Sequence, residues 1–172
     1  MLKIERKWAM PSKDTFTIKP IKELLDNYVI EPRFWIDPFA GSNSPALFTN
    51  DINPKACTQF HLDALQFLEN FDKSNWEGII FDPPYSVRQV AECYKSFGYE
   101  VTQETTQASW YTKLKKEIAR IAPEYVISFG WNSGGVGKKL GYEIVEILLV
   151  PHGGVHNDTI CTVERIKKEK KD

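Results

Sequence analysis

Ile79–Ser86 reads IIFDPPYS, and the way this stretch ends decides how the rest of the chain is read. Three apolar residues suit a buried strand, but Pro83 and Pro84 have no N–H to give to a ladder, so the strand must stop at Asp82. The result is a stiff corner that fixes Asp82 and Tyr85 at the strand's exit. An ordinary connection could be made from softer residues, so the corner itself is a candidate site.

The other apolar runs end in the same manner. RFWIDPF, LFTNDINP, EGIIFDPPY, EYVISFG, YEIVEILLV and DTICTVERI predict six strands. Residues 20–28, opened by Pro20, predict a short helix. WYTKLKKEIARIA spaces Leu114, Ile118 and Ile121 along one helical face before Pro123. Strands alternating with helices predict an α/β fold, a mostly parallel sheet with helices on both faces. The last two strands have no helix between them, which predicts an antiparallel C-terminal hairpin through PHGGVHND.

Composition agrees with one domain over residues 1–172, 42% of them hydrophobic. No apolar run reaches the roughly 20 residues of a membrane helix, and MLKIERKWAM lacks a signal-peptide core. Cys57, Cys93 and Cys161 form no CxxC pair, as expected of a reduced, cytoplasmic protein with buried thiols. The formal net charge is −1, although residues 1–22 and the tail ERIKKEKKD are locally basic. A charge run of this kind is ordinarily a solvated face.

In an open α/β sheet, ligands sit outside the carboxyl ends of the strands. Here those ends are DPFAGSN, NDINP, FDPPYS and SFGWNSGG. Gly41 permits close backbone approach to a ligand, and Asp51 is placed to accept from a ribose diol. Each alone reads equally well as a turn or a cap. Four together, in this order, make a stronger signal.

DPFAGSN with NDINP and DPPYS after it resembles the S-adenosylmethionine-dependent amino methyltransferases, above all the small phage-type N6-adenine DNA methyltransferases. The resemblance runs from about Trp8 to Arg165. It implies a Rossmann-like methyltransferase fold, S-adenosyl-L-methionine as cofactor, DNA as partner, and action in the cytoplasm of a bacterial or phage-infected cell. It further implies that Asp37, Phe39, Ala40 and Gly41 line the methionine end of the cofactor and that Asp51 holds its ribose. Lys13, Thr15 and Phe16 would reach the carboxylate end. Asp63 and Ala64 match the adenine-contacting position, while Asp63 reads equally as a helix N-cap before ALQFLENF. Asp82, Pro83, Pro84 and Tyr85 would be catalytic. The Asp82 carboxylate and the Pro83 carbonyl accept from the target amine, and Tyr85 stacks on a base turned out of the helix. Arg88, Trp131, His156 and Asn157 would border the target.

Two features depart from that pattern. The usual F-x-G-x-G loop has Asn43 where a second glycine is expected, and only ten positions separate Gly41 from Asp51. A crossover helix between the first two strands takes about a dozen residues, so it must be shortened. The thinly covered face would then be filled by another subunit, giving a homodimer. Residues 86–112 have no obvious core role; with Gln89, Lys95 and Gln107 they are an expected nucleic-acid contact.

Other patterns carry less. HxxxH at His152 and His156 lacks a third ligand, so no metal is expected. SFGWNSGGVGKK is not a phosphate loop, because Lys138 is followed by Lys139. Two readings compete with the leading one: a ribosomal RNA base amino methyltransferase, and a non-catalytic S-adenosylmethionine-binding module.

Overall fold

The structure, a computed structural model, describes residues 2–103, 105, 107–154 and 156–167. Residues 168–172 of the basic tail lie outside the described residues. Seven strands form one sheet: β1 (Lys3–Arg6), β2 (Trp35–Asp37), β3 (Phe48–Thr49), β4 (Gly78–Phe81), β5 (Tyr125–Gly130), β6 (Tyr142–Val150) and β7 (Thr159–Ile166). Their spatial order is β1-β6-β7-β5-β4-β2-β3. All neighbours are parallel except β7, which runs antiparallel between β5 and β6. The six predicted strands and the C-terminal hairpin are present. The added one, β1, is a mostly exposed edge strand whose KIER sequence carries too little apolar signal to stand out.

β4 is buried along its whole length, as a central parallel strand covered on both faces must be. Alternation along β2, β4 and β5 sorts side chains into two cores. Trp35, Ile80, Ile127 and Phe129 face α1 (Lys19–Tyr28), packing with Ile21, Leu24 and Leu25. Ile36, Ile79, Phe81 and Val126 face α2 (Ala64–Leu68), α3 (Val87–Ser96) and α4 (Ala108–Ile121). The Trp35 indole lies flat across β4 because its pairing partner is Gly78. A Cβ there would sit 2.2 Å from the ring.

The first crossover, expected to carry a shortened helix, carries none. Residues 38–47 form a loop that contributes Ala46 to the same core as α1. The face expected to lie thinly covered is packed by α1 of the same chain. A second expectation is corrected outright. Residues 86–112 do have a core role: α3 buries Val90 and Tyr94, and α4 buries Trp110. Val87, Val90, Ala91 and Tyr94 recur at helical spacing, a core-facing signal the reading of this stretch overlooked. Of the thiols, Cys161 is buried but Cys57 is exposed.

Candidate active site

Asp82 leaves β4 on the α1 side and sits at the junction of two connected cavities. The larger, about 580 Å³, is walled by residues beyond the carboxyl ends of parallel strands and by the β6–β7 hairpin, among them Asp51, Asp82, Tyr85, Trp131 and Asn157. The smaller, about 210 Å³, lies over the loop from Phe39 to Asn43. Lys13, Thr15, Phe39, Asp51 and Asp82 border both. Asp82 is thus one of five residues that border both spaces.

The corner is held by side chains, since its prolines cannot be held by a ladder. Ser86 caps α3, accepting from the Gln89 N–H at 3.3 Å, while Gln89 Oε1 accepts the Tyr85 N–H at 2.8 Å. From α4 the Tyr111 hydroxyl donates to the Pro84 carbonyl at 2.5 Å. S-x-x-Q directly after DPPY is a capping-box signal that would have placed α3 from sequence. Tyr111, 27 positions away, had no such signal.

Burial pushes the Asp82 carboxyl up to about 6, and hydrogen bonds from the Tyr85 and Thr15 side chains hold it from rising further. Thr15, expected at a ligand's carboxylate end, therefore touches Asp82 itself. Burial drives the Tyr85 phenol upward, and the Asp82 charge adds to this. Tyr85 meets Trp131 edge to face at 5.7 Å between ring centroids. Cys161 lies beneath, its thiol raised by burial and by Asp82.

At the small cavity, Gly41 adopts φ +54, a left-handed conformation that favours glycine, with open space where a Cβ would project. Its N–H donates to Asp51 Oδ2 at 2.9 Å, and Asp51 Oδ1 accepts from Asn53 N–H at 2.8 Å. Phe39, Ala40 and Gly41 border this space. Asp37 does not line either cavity: it is fully buried, accepting from the Phe39 N–H at 2.9 Å and the Ser44 hydroxyl at 2.6 Å. It shapes the loop from below. Burial lifts its carboxyl to about 8, with Ser44 and the Phe39 amide opposing. Phe16 borders the small cavity but packs its ring on Phe129 at 5.5 Å, so it serves mainly as wall.

At the far end of the large cavity, Leu62, Ala64, Tyr94 and Trp110 make an apolar and aromatic wall. Asp63 is the N-cap of α2: Oδ1 accepts from Leu65 and Gln66 N–H, and Oδ2 takes the Tyr94 hydroxyl. Of its two open readings, the cap is the one realised in these contacts. Arg88 is turned away from the cavity, paired with Glu92 at 2.8 Å on the outer face of α3. Gln89, one residue on, borders it instead. His156 and Asn157 border the opening, and His152 is pinned between the Ala9 carbonyl and the Thr159 hydroxyl, both at 2.9 Å. Among the described residues, no cluster of three His, Cys, Asp or Glu side chains is arranged to hold a metal ion. No helix of the described residues is long and apolar enough to cross a membrane.

The backbone is similar to that of TrmN from Thermus thermophilus, with a TM-score of 0.53 over 87% of this chain and 16% sequence identity. The fold is the Rossmann-like methyltransferase fold. The chain spans about half of that structure, 49% of its length. No protein-family model and no curated protein matches the sequence. Within this fold the two cavities lie at the carboxyl ends of the parallel strands, where doubly wound sheets take their ligands.

Proposed function

We propose that this chain transfers a methyl group from S-adenosyl-L-methionine to the exocyclic N6 amine of an adenine in DNA, with the base turned out of its stack. The observation that carries the reading is the position of Asp82 where the two cavities join, beside a proline carbonyl and the Tyr85–Trp131 aromatic pair.

The residues fit the cofactor. The open space at Gly41 and the Phe39–Gly41 backbone would take the amino-acid end. Asp51 keeps lone pairs free beyond its two backbone contacts and would accept from ribose hydroxyls. The wall of Leu62, Ala64, Tyr94 and Trp110 would cover the adenine ring. When bound, the cofactor supplies an electrophilic sulfonium methyl.

The chain's own contribution is positioning and charge. An aromatic amine is a weak nucleophile because its lone pair is delocalised into the ring. Accepting its two N–H groups at the Asp82 carboxylate and the Pro83 carbonyl orients the nitrogen and favours the positive charge that develops on it. Tyr85 and Trp131 offer the faces on which a displaced base rests. Tyr111 and Gln89 hold the corner in place.

Nucleoside mass spectrometry after incubation with labelled cofactor tests this. N6-methyladenine in DNA is the expected product, and its absence overturns the reading. A second reading, base amino methylation of RNA, is favoured by the likeness to TrmN, a tRNA methyltransferase; label recovered only in RNA nucleosides would establish it. For a non-catalytic module, calorimetry would show cofactor binding without transfer. The intact Asp82–Tyr85 corner speaks against that reading. The chemistry belongs in the cytoplasm, where cofactor and nucleic acid meet.

A further inference from the structure

The glycine-rich stretch SFGWNSGGVGKK is no phosphate loop, yet its backbone does cradle an anion: the carboxylate of Glu164. β5 and β6 run parallel on either side of antiparallel β7, so residues 131–141 between them must cross over β7. They do so without an α-helix, and their one regular turn is the 3-10 helix Lys138–Leu140. Glu164 stands beneath this crossover. It pairs with Val126 on β5 and Ile144 on β6 and is fully buried. Its Oε2 accepts the Val136 N–H at 2.5 Å and its Oε1 the Gly137 N–H at 2.8 Å. Successive amides converging on one carboxylate form an anion-binding nest, here closed on a side chain of the same chain. The glycines permit it. Gly135 takes φ +49 and Gly137 φ +101, and a Cβ on Gly135 would sit 2.2 Å from Glu164 Oε2. Burial raises the Glu164 carboxyl, while the two amides and the Lys115 ammonium on α4 oppose this.

Sheet stability does not ask for a charge at this place. A well-packed apolar side chain in the middle of a sheet serves stability as well as a buried ion does, or better. What the carboxylate adds is a fixed position for the crossover, and the first residue of that crossover is Trp131. Trp131 borders the large cavity and meets Tyr85 edge to face at 5.7 Å. It is 43% exposed, so burial does not hold its indole. Its backbone is held on one side by β5. On the other side Asn132 Oδ1 accepts the Gly134 N–H at 2.8 Å, and Glu164 anchors the residues beyond. We propose that Glu164 is a positioning residue for the target base: by tying residues 136–137 to β7 it holds the crossover so that the Trp131 indole faces Tyr85. Glu164 lines neither cavity and acts through Trp131. The proposal rests on the base-methylation reading and deepens it.

The test is fluorine NMR of the full chain labelled with fluorotryptophan, paired with methyl-transfer kinetics on an adenine-containing DNA duplex. The chain has five tryptophans, and the Trp131 resonance is the one missing in Trp131→Phe. Glu164→Gln keeps the side chain's size but offers one acceptor oxygen to two N–H groups. The expected result is a shifted or broadened Trp131 resonance with the others unmoved. The KM for the duplex rises about tenfold, while kcat and cofactor affinity by calorimetry stay within about twofold. In a Trp131→Ala background, Glu164→Gln adds less than about twofold, since residues that act through one another are not additive. Gly137→Ala leaves the carboxylate in place and strains the backbone it holds. It should move the same resonance and the same KM, and it decides the matter if Glu164→Gln fails to fold. A Trp131 resonance that stays put, resonances that all move alike, or KM losses that add to those of Trp131→Ala would each overturn the proposal. The spectra are independent of turnover: a parent that transfers no methyl group refutes the enzymatic reading, while the Trp131 resonance still decides whether Glu164 sets that indole.

Discussion

The titration of Asp82 offers the sharpest test of the chemistry. A carboxylate that must accept from an amine works only when ionised, and burial places this one at about 6 rather than at its ordinary value of 3.8. From that value, kcat/KM should rise with pH through about 6 and level off near pH 7. At pH 5 only about one molecule in eleven is ionised, so activity there should be roughly a tenth of the plateau. The sign is specific: acid removes the acceptor. The assay is transfer of labelled methyl to nucleic acid between pH 4.5 and 9, at subsaturating cofactor so that the free enzyme is reported. Asp82→Asn keeps one carbonyl acceptor without the charge, and should lower the plateau by about 100-fold and erase the inflection. Asp37, raised to about 8, is the confounding group, and Asp37→Asn should leave the inflection near 6 in place. A flat profile in the parent, or an inflection that survives Asp82→Asn and vanishes in Asp37→Asn, would refute the assignment.

Asp37 makes its own prediction for stability. Its folded carboxyl is raised, so the fold favours the protonated form; that contribution is complete below about 4 and is lost as pH rises through 8. The unfolding free energy of the parent should fall across this window by at most about 1.4 kcal/mol per pH unit, read as a falling melting temperature, and Asp37→Asn should flatten the slope. Tyr111→Phe removes the hydroxyl that holds Pro84; kcat should fall about tenfold with cofactor affinity within twofold, as seen by pairing turnover with calorimetry. Gly78→Ala drives a methyl into the Trp35 ring. The strain should cost about 1–3 kcal/mol and roughly 3–10 °C in thermal unfolding, whereas Gly130→Ala, where a Cβ meets nothing nearer than 3.9 Å, should lose less.

Much of the sheet was legible because its signals are local. Apolar runs of strand length, Pro20 opening a helix and Pro123 closing one, and the prolines that end β4 each act within a few residues. α3 was legible in principle, through Ser86 and Gln89 and through Val87, Val90, Ala91 and Tyr94 at helical spacing, while only packing on α4 shows which of these are buried. β1 was hidden for a related reason, since four mostly polar residues become a strand only when the edge of β6 is there to pair with them.

A rigid Asp82–Tyr85 corner ending a buried strand can be read from the residues alone, because proline chemistry leaves the backbone no alternative there. So can the shortness of the crossover after Gly41, a matter of chain length, although the shortened helix expected there is not formed. The surroundings of that corner are another matter, fixed by long-range packing. α1 covers the face the short crossover leaves bare, Tyr111 reaches Pro84 from a distant helix, and Asp63 is spent on a cap and on Tyr94. Parallel pairing of β5 on β4 brings Trp131, and antiparallel β7 brings the hairpin, to the cavity that Asp82 enters. Each of these joins groups far apart along the chain. Such contacts are set by which surfaces pack together, and no periodicity within a dozen residues encodes that.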